Sequence, residues 1–350
     1  MNSKQFYFSL GRPFSPLYSL AMHFRALLYK KNYFKTHRVS VPVISVGNLT
    51  LGGTGKTPVV QYLARLLQQN GYKPAVISRG YGGTSRKPVN IVSNGFELLL
   101  DAKEAGDESC FLADTLPGIP ILTGVVRKLP AEQAIVMGAN VLLLDDGFQH
   151  MQLARDINLV LFKTDVLAGN SRVFPGGDLR EPVTALKRAT TFVMTDVHQE
   201  NHDRADQFAS LLHAKFPEIK TEFARYEKKR LVQLDSNDTL SPSELTDLNQ
   251  VPTYGFSGIA HPQAFQQTLK KQQLNIVGFS SLPDHVKYTD QRVATLLHKA
   301  DKVGAEALLT TEKDLVKFKE KTLPLPLYAL RMETKFDPTF DQYILKEIQR

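Results

Sequence analysis

A doubly wound, mostly parallel α/β sheet with a second, smaller α/β domain is the fold class this sequence predicts. Three observations predict it. Short apolar runs of strand length alternate with amphipathic helical stretches along most of the chain. A glycine-rich turn, Gly52-Gly53-Thr54-Gly55-Lys56-Thr57, separates one such run from a helical stretch. A further apolar run, residues 141–144, ends in the paired carboxylates Asp145 and Asp146, as expected at the ligand-binding edge of a parallel sheet.

Taken in order, residues 13–31 read as an amphipathic helix, with Ser15 as its cap and Pro16 at its first position. Leu17, Leu20, Ala21, Phe24, Leu27 and Leu28 share one face, and Arg25, Lys30, Lys31, Lys35 and Arg38 surround or follow it. Two readings stay open: a basic helix lying on an anionic membrane, or a helix packed on its own domain. Residues 41–46 read as a buried strand and 57–69 as a helix stopped by Asn70-Gly71. Strands at 75–78, 89–92, 119–122, 141–144, 159–162 and 191–194 alternate with helices at 107–115, 131–137 and 201–216. A stretch rich in Ser, Asp and Asn at 235–250 reads as a linker. The alternation then resumes at 253–256, 261–271, 275–279, 290–300, 307–309 and 327–331. The expected organisation is a basic amphipathic, membrane-associating segment (1–38), a core domain carrying the glycine-rich loop (39–234), the linker (235–250) and a smaller α/β domain (251–350).

The chain has 350 residues, 42% of them apolar, enough for a sizeable core. Its one cysteine, Cys110, excludes an internal disulfide and a multi-cysteine metal site. Of 43 Lys and Arg residues, 13 precede the first acidic residue, Glu97; the remainder of the chain holds 30 basic and 35 acidic residues. A cationic lobe on a mildly acidic body attracts phosphates: those of a nucleotide, a nucleic acid or anionic lipid headgroups. No apolar run approaches the roughly 20 residues that span a bilayer. Lys4, Arg12 and Arg25 interrupt any secretory signal. A peripheral protein on the cytoplasmic side is the expectation.

The glycine-rich turn has the composition of a phosphate-binding loop. Its glycines let backbone N–H groups close around phosphate oxygens, and the helix that follows adds partial positive charge. Thr50, Leu51, Gly52, Gly53, Thr54, Gly55, Lys56 and Thr57 are the expected nucleotide contacts, with Lys56 reaching the β- and γ-phosphates. Thr57, Asp145 and Asp146 are the expected Mg²⁺ ligands. Thr50 stands where the commonest loop pattern has glycine. Arg79 and Tyr81 lie in a glycine-rich turn just after a strand, and Arg127, Gln149, His150, Arg180 and Glu181 are further candidates for substrate contact.

The segments 45–58 (Ser-Val-Gly-Asn-Leu-Thr-Leu-Gly-Gly-Thr-Gly-Lys-Thr-Pro) and 144–150 (Leu-Asp-Asp-Gly-Phe-Gln-His) together resemble the tetraacyldisaccharide 4′-kinase family. Ser78-Arg79-Gly80-Tyr81-Gly82, Gly106-Asp107-Glu108, Leu179-Arg180-Glu181-Pro182, the run 256–262, Pro283-Asp284-His285 and the run 310–314 extend the resemblance over almost the whole chain. Thr50 matches the family's own form of the loop, while Gly176-Gly177-Asp178 stands where Ala-Gly-Pro is more usual. The resemblance implies an enzyme, a phosphotransferase that uses ATP and Mg²⁺. It would phosphorylate the 4′-hydroxyl of tetraacyldisaccharide 1-phosphate, a lipid A precursor, at the cytoplasmic face of the bacterial inner membrane. It also implies a catalytic Asp107 paired with His261, beside Lys56. Implied partners are the acylated disaccharide phosphate and an anionic membrane surface, with no nucleic acid and no obligate protein partner.

The rival from another class is a regulatory or metallochaperone-type P-loop NTPase without a lipid substrate. That reading expects GTP preference or a Cys/His cluster. Lys313-Asp314 resembles the end of a guanine-reading motif, but Glu312 stands where its asparagine belongs.

Overall fold

The computed structural model describes residues 3–234, 240–243, 248–259, 262–272, 274–284, 286–319 and 321–349. The chain opens with α1 (Ser3–Gly11) and α2 (Ser15–Lys30), joined by one 3-10 turn at Arg12–Phe14. The alternation that follows is β1 (Val43–Asn48), α3 (Lys56–Gln69), β2 (Pro74–Ser78), β3 (Asn90–Ser93), α4 (Ala102–Ala105), α5 (Asp107–Thr115), β4 (Ile121–Thr123), α6 (Lys128–Val136), β5 (Val141–Asp145), β6 (Ile157–Lys163), β7 (Thr191–Val197), α7 (His202–Lys215) and β8 (Lys220–Leu234). Then come β9 (Leu240–Ser243), β10 (Thr253–Ser257), α8 (Pro262–Lys271), β11 (Ile276–Ser281), α9 (Asp290–Lys302), β12 (Ala307–Thr311), α10 (Glu312–Leu315), β13 (Leu327–Lys335) and α11 (Pro338–Glu347).

Two compact units divide the chain: residues 1–226 with 334–350, and residues 227–333. The C-terminal helix α11, which the sequence reading placed in the second domain, thus belongs with the first unit. More than half of the expected linker, residues 235–239 and 244–247, lies outside the described residues, and β9, within it, pairs antiparallel with the end of β8.

In the first unit the strands run in the order β8-β7-β6-β1-β5-β2-β4-β3, all parallel except β3 against β4. Strands buried on both faces must be apolar on both, and β1 and β5 are buried at every position. Their alternate residues separate into two cores. Ile44, Val46, Leu159 and Leu161 pack with Val59, Leu63 and Leu67 of α3 and with Phe340 and Ile344 of α11. Leu142 and Leu144 pack with Ala131 and Ala134 of α6, and Val160, Phe162 and Phe192 with Ala205 and Leu212 of α7. Helices on both faces make the sheet doubly wound, as the alternating pattern predicts.

The second unit repeats the scheme in the order β11-β10-β12-β13, all parallel. Its core joins Phe256 and Leu308 to Tyr288, Leu296 and Phe318.

The N-terminal helices follow a different rule. No residue of α2 is buried. Its apolar stripe faces outward, with Leu17 70% and Leu20 66% exposed, and Phe6, Tyr7, Leu10, Phe14 and Phe24 exposed beside them. Ser15 is not the expected cap: Phe14 holds that position. Its hydroxyl instead donates to the Val173 carbonyl (2.9 Å) and accepts from Gly176 N (2.8 Å), seating the helix on the 172–180 loop. The expected cap was drawn from local preference, and a long-range pair of hydrogen bonds took the hydroxyl.

Candidate active site

The loop from β1 to α3 is held from three directions. Asn48, the last residue of β1, donates through Nδ2 to the Thr50 carbonyl (2.8 Å) and accepts from Lys56 Nζ (3.2 Å). From one flank, Leu51 N donates to the Asp178 carbonyl (2.6 Å) and Arg180 N to the Leu49 carbonyl (2.7 Å). From another, Thr195 Oγ1 donates to the Thr54 carbonyl (2.8 Å). Thr50 bridges to Leu179 and is buried, outside the left-handed region, so this loop needs no glycine there. Gly55 does need its freedom: φ is +79°, and a Cβ would come within 3.0 Å of the Tyr226 hydroxyl. Gly52 and Gly53 face open space. The Asp178 that replaces a more usual proline donates its own N–H to Asn170 Oδ1 (3.1 Å), a bond proline could not make.

Strand β5 lies parallel to β1 with Val46 opposite Asp145. The two carboxylates therefore emerge beside the loop, and they differ sharply. Asp145 is buried, and its Oδ1 has no hydrogen-bond partner. Burial, together with the charges of Glu108 and Asp146, pushes it up to about 7, against the pull of Lys56 and Arg127. Asp146 turns out of the strand at φ +50°. Arg180 Nη1 donates to both of its oxygens (2.9 and 2.8 Å), and Lys56 Nζ stands 3.5 Å away. Burial would raise Asp146, but these two cations outweigh it and hold the carboxyl below its ordinary value. Gly147 completes the turn because a Cβ there would strike Ser45 Oγ at 2.5 Å.

A cavity of about 640 Å³ opens in front of Asp146, lined among others by Tyr18, Arg25, Arg79, Arg127, His150 and Arg180. Arg127 is buried and donates to the carbonyls of Asp145 (3.3 Å) and Asp146 (3.2 Å). Gln149 Nε2 donates to the Asn48 carbonyl (2.9 Å). His150 is driven down to about 3 by burial and by Arg127, Arg155, Arg25 and Arg79, so it is neutral near pH 7, with Nε2 buried and unpartnered. Glu181 is buried and accepts from Arg188, whose guanidinium lies over the Phe148 ring at 4.6 Å. This constellation can hold a polyanion: four arginines, with the carboxylates of Asp146 and Glu181, line a space large enough for a sugar phosphate.

Of the residues expected from sequence, Lys56, Asp145, Asp146, Arg79, Arg127, Gln149, His150, Arg180 and Glu181 gather around the loop and cavity. Thr57 is the second residue of α3, and Asp107 is the first of α5, beside the Glu108 whose charge reaches Asp145. Tyr81 is 75% exposed, on a turn whose backbone packs against Gly106. His261 lies outside the described residues, as do Ala260 and His285. Asp314 is spent internally: it is buried and accepts from Gly258 N (2.8 Å) and Thr311 Oγ1 (2.9 Å).

Sequence reasoning missed the part α2 plays. Arg25 Nη2 donates to the Gln149 carbonyl (2.9 Å), and the Tyr18 hydroxyl donates to the Arg180 carbonyl (3.1 Å). The available signal was their spacing: 18, 22 and 25 recur at helical period on the face beside the apolar stripe.

Comparison with known proteins gives a consistent picture. A family model described as tetraacyldisaccharide-1-P 4′-kinase matches residues 8–349. A tetraacyldisaccharide 4′-kinase from Desulfotalea psychrophila is 43% identical over 347 residues, covering 99% of this chain and 98% of that protein. One from Syntrophus aciditrophicus is 40% identical over 349 residues, covering 95% and 91%. Among solved structures, the "apo" form of LpxK from Aquifex aeolicus in complex with ATP superposes with a TM-score of 0.79 at 31% identity, covering 96% of this chain and 98% of that one.

Proposed function

The chain belongs to the tetraacyldisaccharide-1-P 4′-kinase family, and we propose that it transfers the γ-phosphoryl group of ATP to the 4′-hydroxyl of tetraacyldisaccharide 1-phosphate. The observation that carries this reading is the pairing of β1 and β5. It sets the lysine of a phosphate loop and two carboxylates of opposite character at one edge of a parallel sheet.

The geometry supports the following roles. Lys56 rests on Asn48 and Asp146 and has only to turn to meet the β- and γ-phosphates. The open faces of Gly52 and Gly53 leave room for phosphate oxygens. The unpartnered Oδ1 of Asp145 and the hydroxyl of Thr57 suit a hard cation, so these two residues, with Asp146 adjoining, would hold Mg²⁺. When bound, Mg²⁺ supplies neutralisation of charge on the β- and γ-phosphate oxygens. Arg127, Arg79 and Arg180 line the acceptor side, where a second phosphate on the sugar would be clamped. Asp107, with His261, is the proposed pair that orients the 4′-hydroxyl and takes its proton late in the transfer.

The outward apolar stripe of α1 and α2 supports the lipid-surface reading of the N-terminus, with Ser15, Tyr18 and Arg25 holding the other side of α2 to the domain. Among the described residues no helix is long and apolar enough to cross a membrane. In this reading the acyl chains stay in the cytoplasmic leaflet while the sugar enters the cavity.

Purified protein mixed with γ-labelled ATP, Mg²⁺ and detergent-dispersed tetraacyldisaccharide 1-phosphate should label the lipid. Lys56→Ala and Asp107→Ala should each lose about 100-fold or more in rate. ATP hydrolysis without labelled lipid would sink the kinase reading. Near-normal transfer by Asp107→Ala would keep the kinase and remove its proposed base.

A further inference from the structure

The mouth of the cavity is ringed by apolar side chains that cover nothing. Val125 is 67% exposed and Val126 45%, and both line the same cavity as Tyr18, Met22 and Arg25 of α2. The turn that carries them is fixed at both ends. Gly124 N donates to the Ser78 carbonyl (3.1 Å), Leu129 N donates to the Val126 carbonyl (3.0 Å), and Arg127 is locked on the Asp145 and Asp146 carbonyls. A turn so anchored cannot fold its valines inward to escape water. Phe174, also exposed, meets Tyr18 edge-on at 5.6 Å, so the rim continues onto α2. Adjacent exposed apolar residues on a rigid turn mark an interaction surface.

Charge identifies the partner. The same cavity presents Arg25, Arg79, Arg127 and Arg180 against Asp146 and Glu181, a cationic excess, and no acidic residue precedes Glu97 in the chain. Apolar tips backed by Arg25 and Arg79 fit an anionic lipid surface, where the tips enter the acyl boundary and these two guanidiniums stay at headgroup depth. We propose that residues 124–127 form a second membrane-contacting element, with Val125 and Val126 entering the same lipid surface as α1 and α2. The cavity then opens directly at headgroup depth, and a lipid-borne sugar reaches Asp146 without leaving the leaflet. The kinase reading supplies only the identity of that lipid; contact with the bilayer is measured without turnover.

The chain contains no tryptophan, so each introduced one is a single reporter. Val125→Trp, Leu17→Trp and Phe96→Trp would be mixed, without ATP, with phosphatidylethanolamine–phosphatidylglycerol vesicles carrying brominated acyl chains. Phe96 is exposed and is not among the cavity-lining residues. Emission from Val125→Trp and Leu17→Trp should shift to the blue and be quenched, while Phe96→Trp stays as in buffer. Val125→Asp should bind these vesicles about tenfold more weakly than the parent chain. Quenching of Leu17→Trp alone would leave the turn in water and overturn the proposal. Quenching of all three would mean unspecific adsorption and overturn it equally. Vesicle contact by Val125→Trp in a protein that fails to label the lipid would retain this element and discard the kinase.

Discussion

Asp145 is the residue at which pH acts most directly. An ordinary aspartate ionises near 4, but this one is held neutral until about 7 by burial and by Glu108 and Asp146. The folded chain therefore binds at Asp145 a proton that the unfolded chain has already released, and the stability this group contributes falls as pH rises from about 4 to about 7. Above that window the folded state carries the full cost of a buried, incompletely satisfied carboxylate. Asp145→Asn keeps the shape and removes the charge. In the nucleotide-free protein it should be more stable than the parent by about 2–4 kcal/mol at pH 8, with the gain gone near pH 4. Urea denaturation at both pH values checks this; an equal effect at the two would refute the assignment. The same proton competes with a cation, so apparent Mg²⁺ affinity should rise with pH up to about 7 and then level off. His150 acts in the opposite sense: the folded chain keeps it neutral down to about 3, while the unfolded chain takes up a proton below about 6.5. Its contribution to stability is therefore lost as pH falls, and only the comparison with Asp145→Asn isolates the carboxyl.

At the scale of elements, α11 shows what local sequence conceals. Its apolar residues Phe340, Tyr343 and Ile344, with Ile348 just after it, recur at helical spacing, but the sequence reading names no element beyond residue 331, and nothing local says which core the stripe joins. Yet Asp337 caps it by accepting from Thr339 N (3.1 Å), and Pro338 opens it. Phe340, fully buried, stacks on Phe336 at 4.0 Å and joins the core formed by α3 and β1. Phe340→Ala should therefore cost about 3–5 kcal/mol and lower the melting temperature of the first unit, as calorimetry would show. A loss below about 1 kcal/mol would mean that the helix merely decorates the surface. β8 was hidden for a related reason: Lys, Glu and Arg interrupt its apolar alternation, and only pairing with β7 makes it a strand. By contrast β1, β5 and the loop after β1 were legible. Their chemistry is contiguous in sequence: an apolar run, then glycines and a lysine, or an apolar run, then two aspartates. The cavity was half legible. Arg79 and Arg180 each sit in a recognisable motif, whereas Arg25 meets Gln149 across 124 residues by packing alone.

Across the whole molecule, charge and apolar surface are segregated together. The first 96 residues hold 13 of the 43 basic residues and no acidic one, and they include the exposed stripe of α1 and α2. On the proposed membrane reading these two features act in sequence. Attraction between Lys or Arg and anionic headgroups gathers the protein at the surface, at about 1 kcal/mol per cation close to it. Burial of Leu17, Leu20 and Phe24 then retains it. The two steps respond differently to salt. Screening contracts from about 10 Å at 0.1 M to about 3 Å at 1 M ionic strength, which removes attraction but leaves apolar burial intact. Vesicle sedimentation should therefore show the parent chain keeping a salt-resistant bound fraction. Leu17→Ser/Leu20→Ser should bind at low salt and release almost completely at high salt. The exchange Lys30→Gln/Lys31→Gln/Lys35→Gln should do the reverse, starting weaker and losing little. If both variants lose binding in the same proportion at every salt concentration, the N-terminal segment binds as one undivided surface and the two-step account fails.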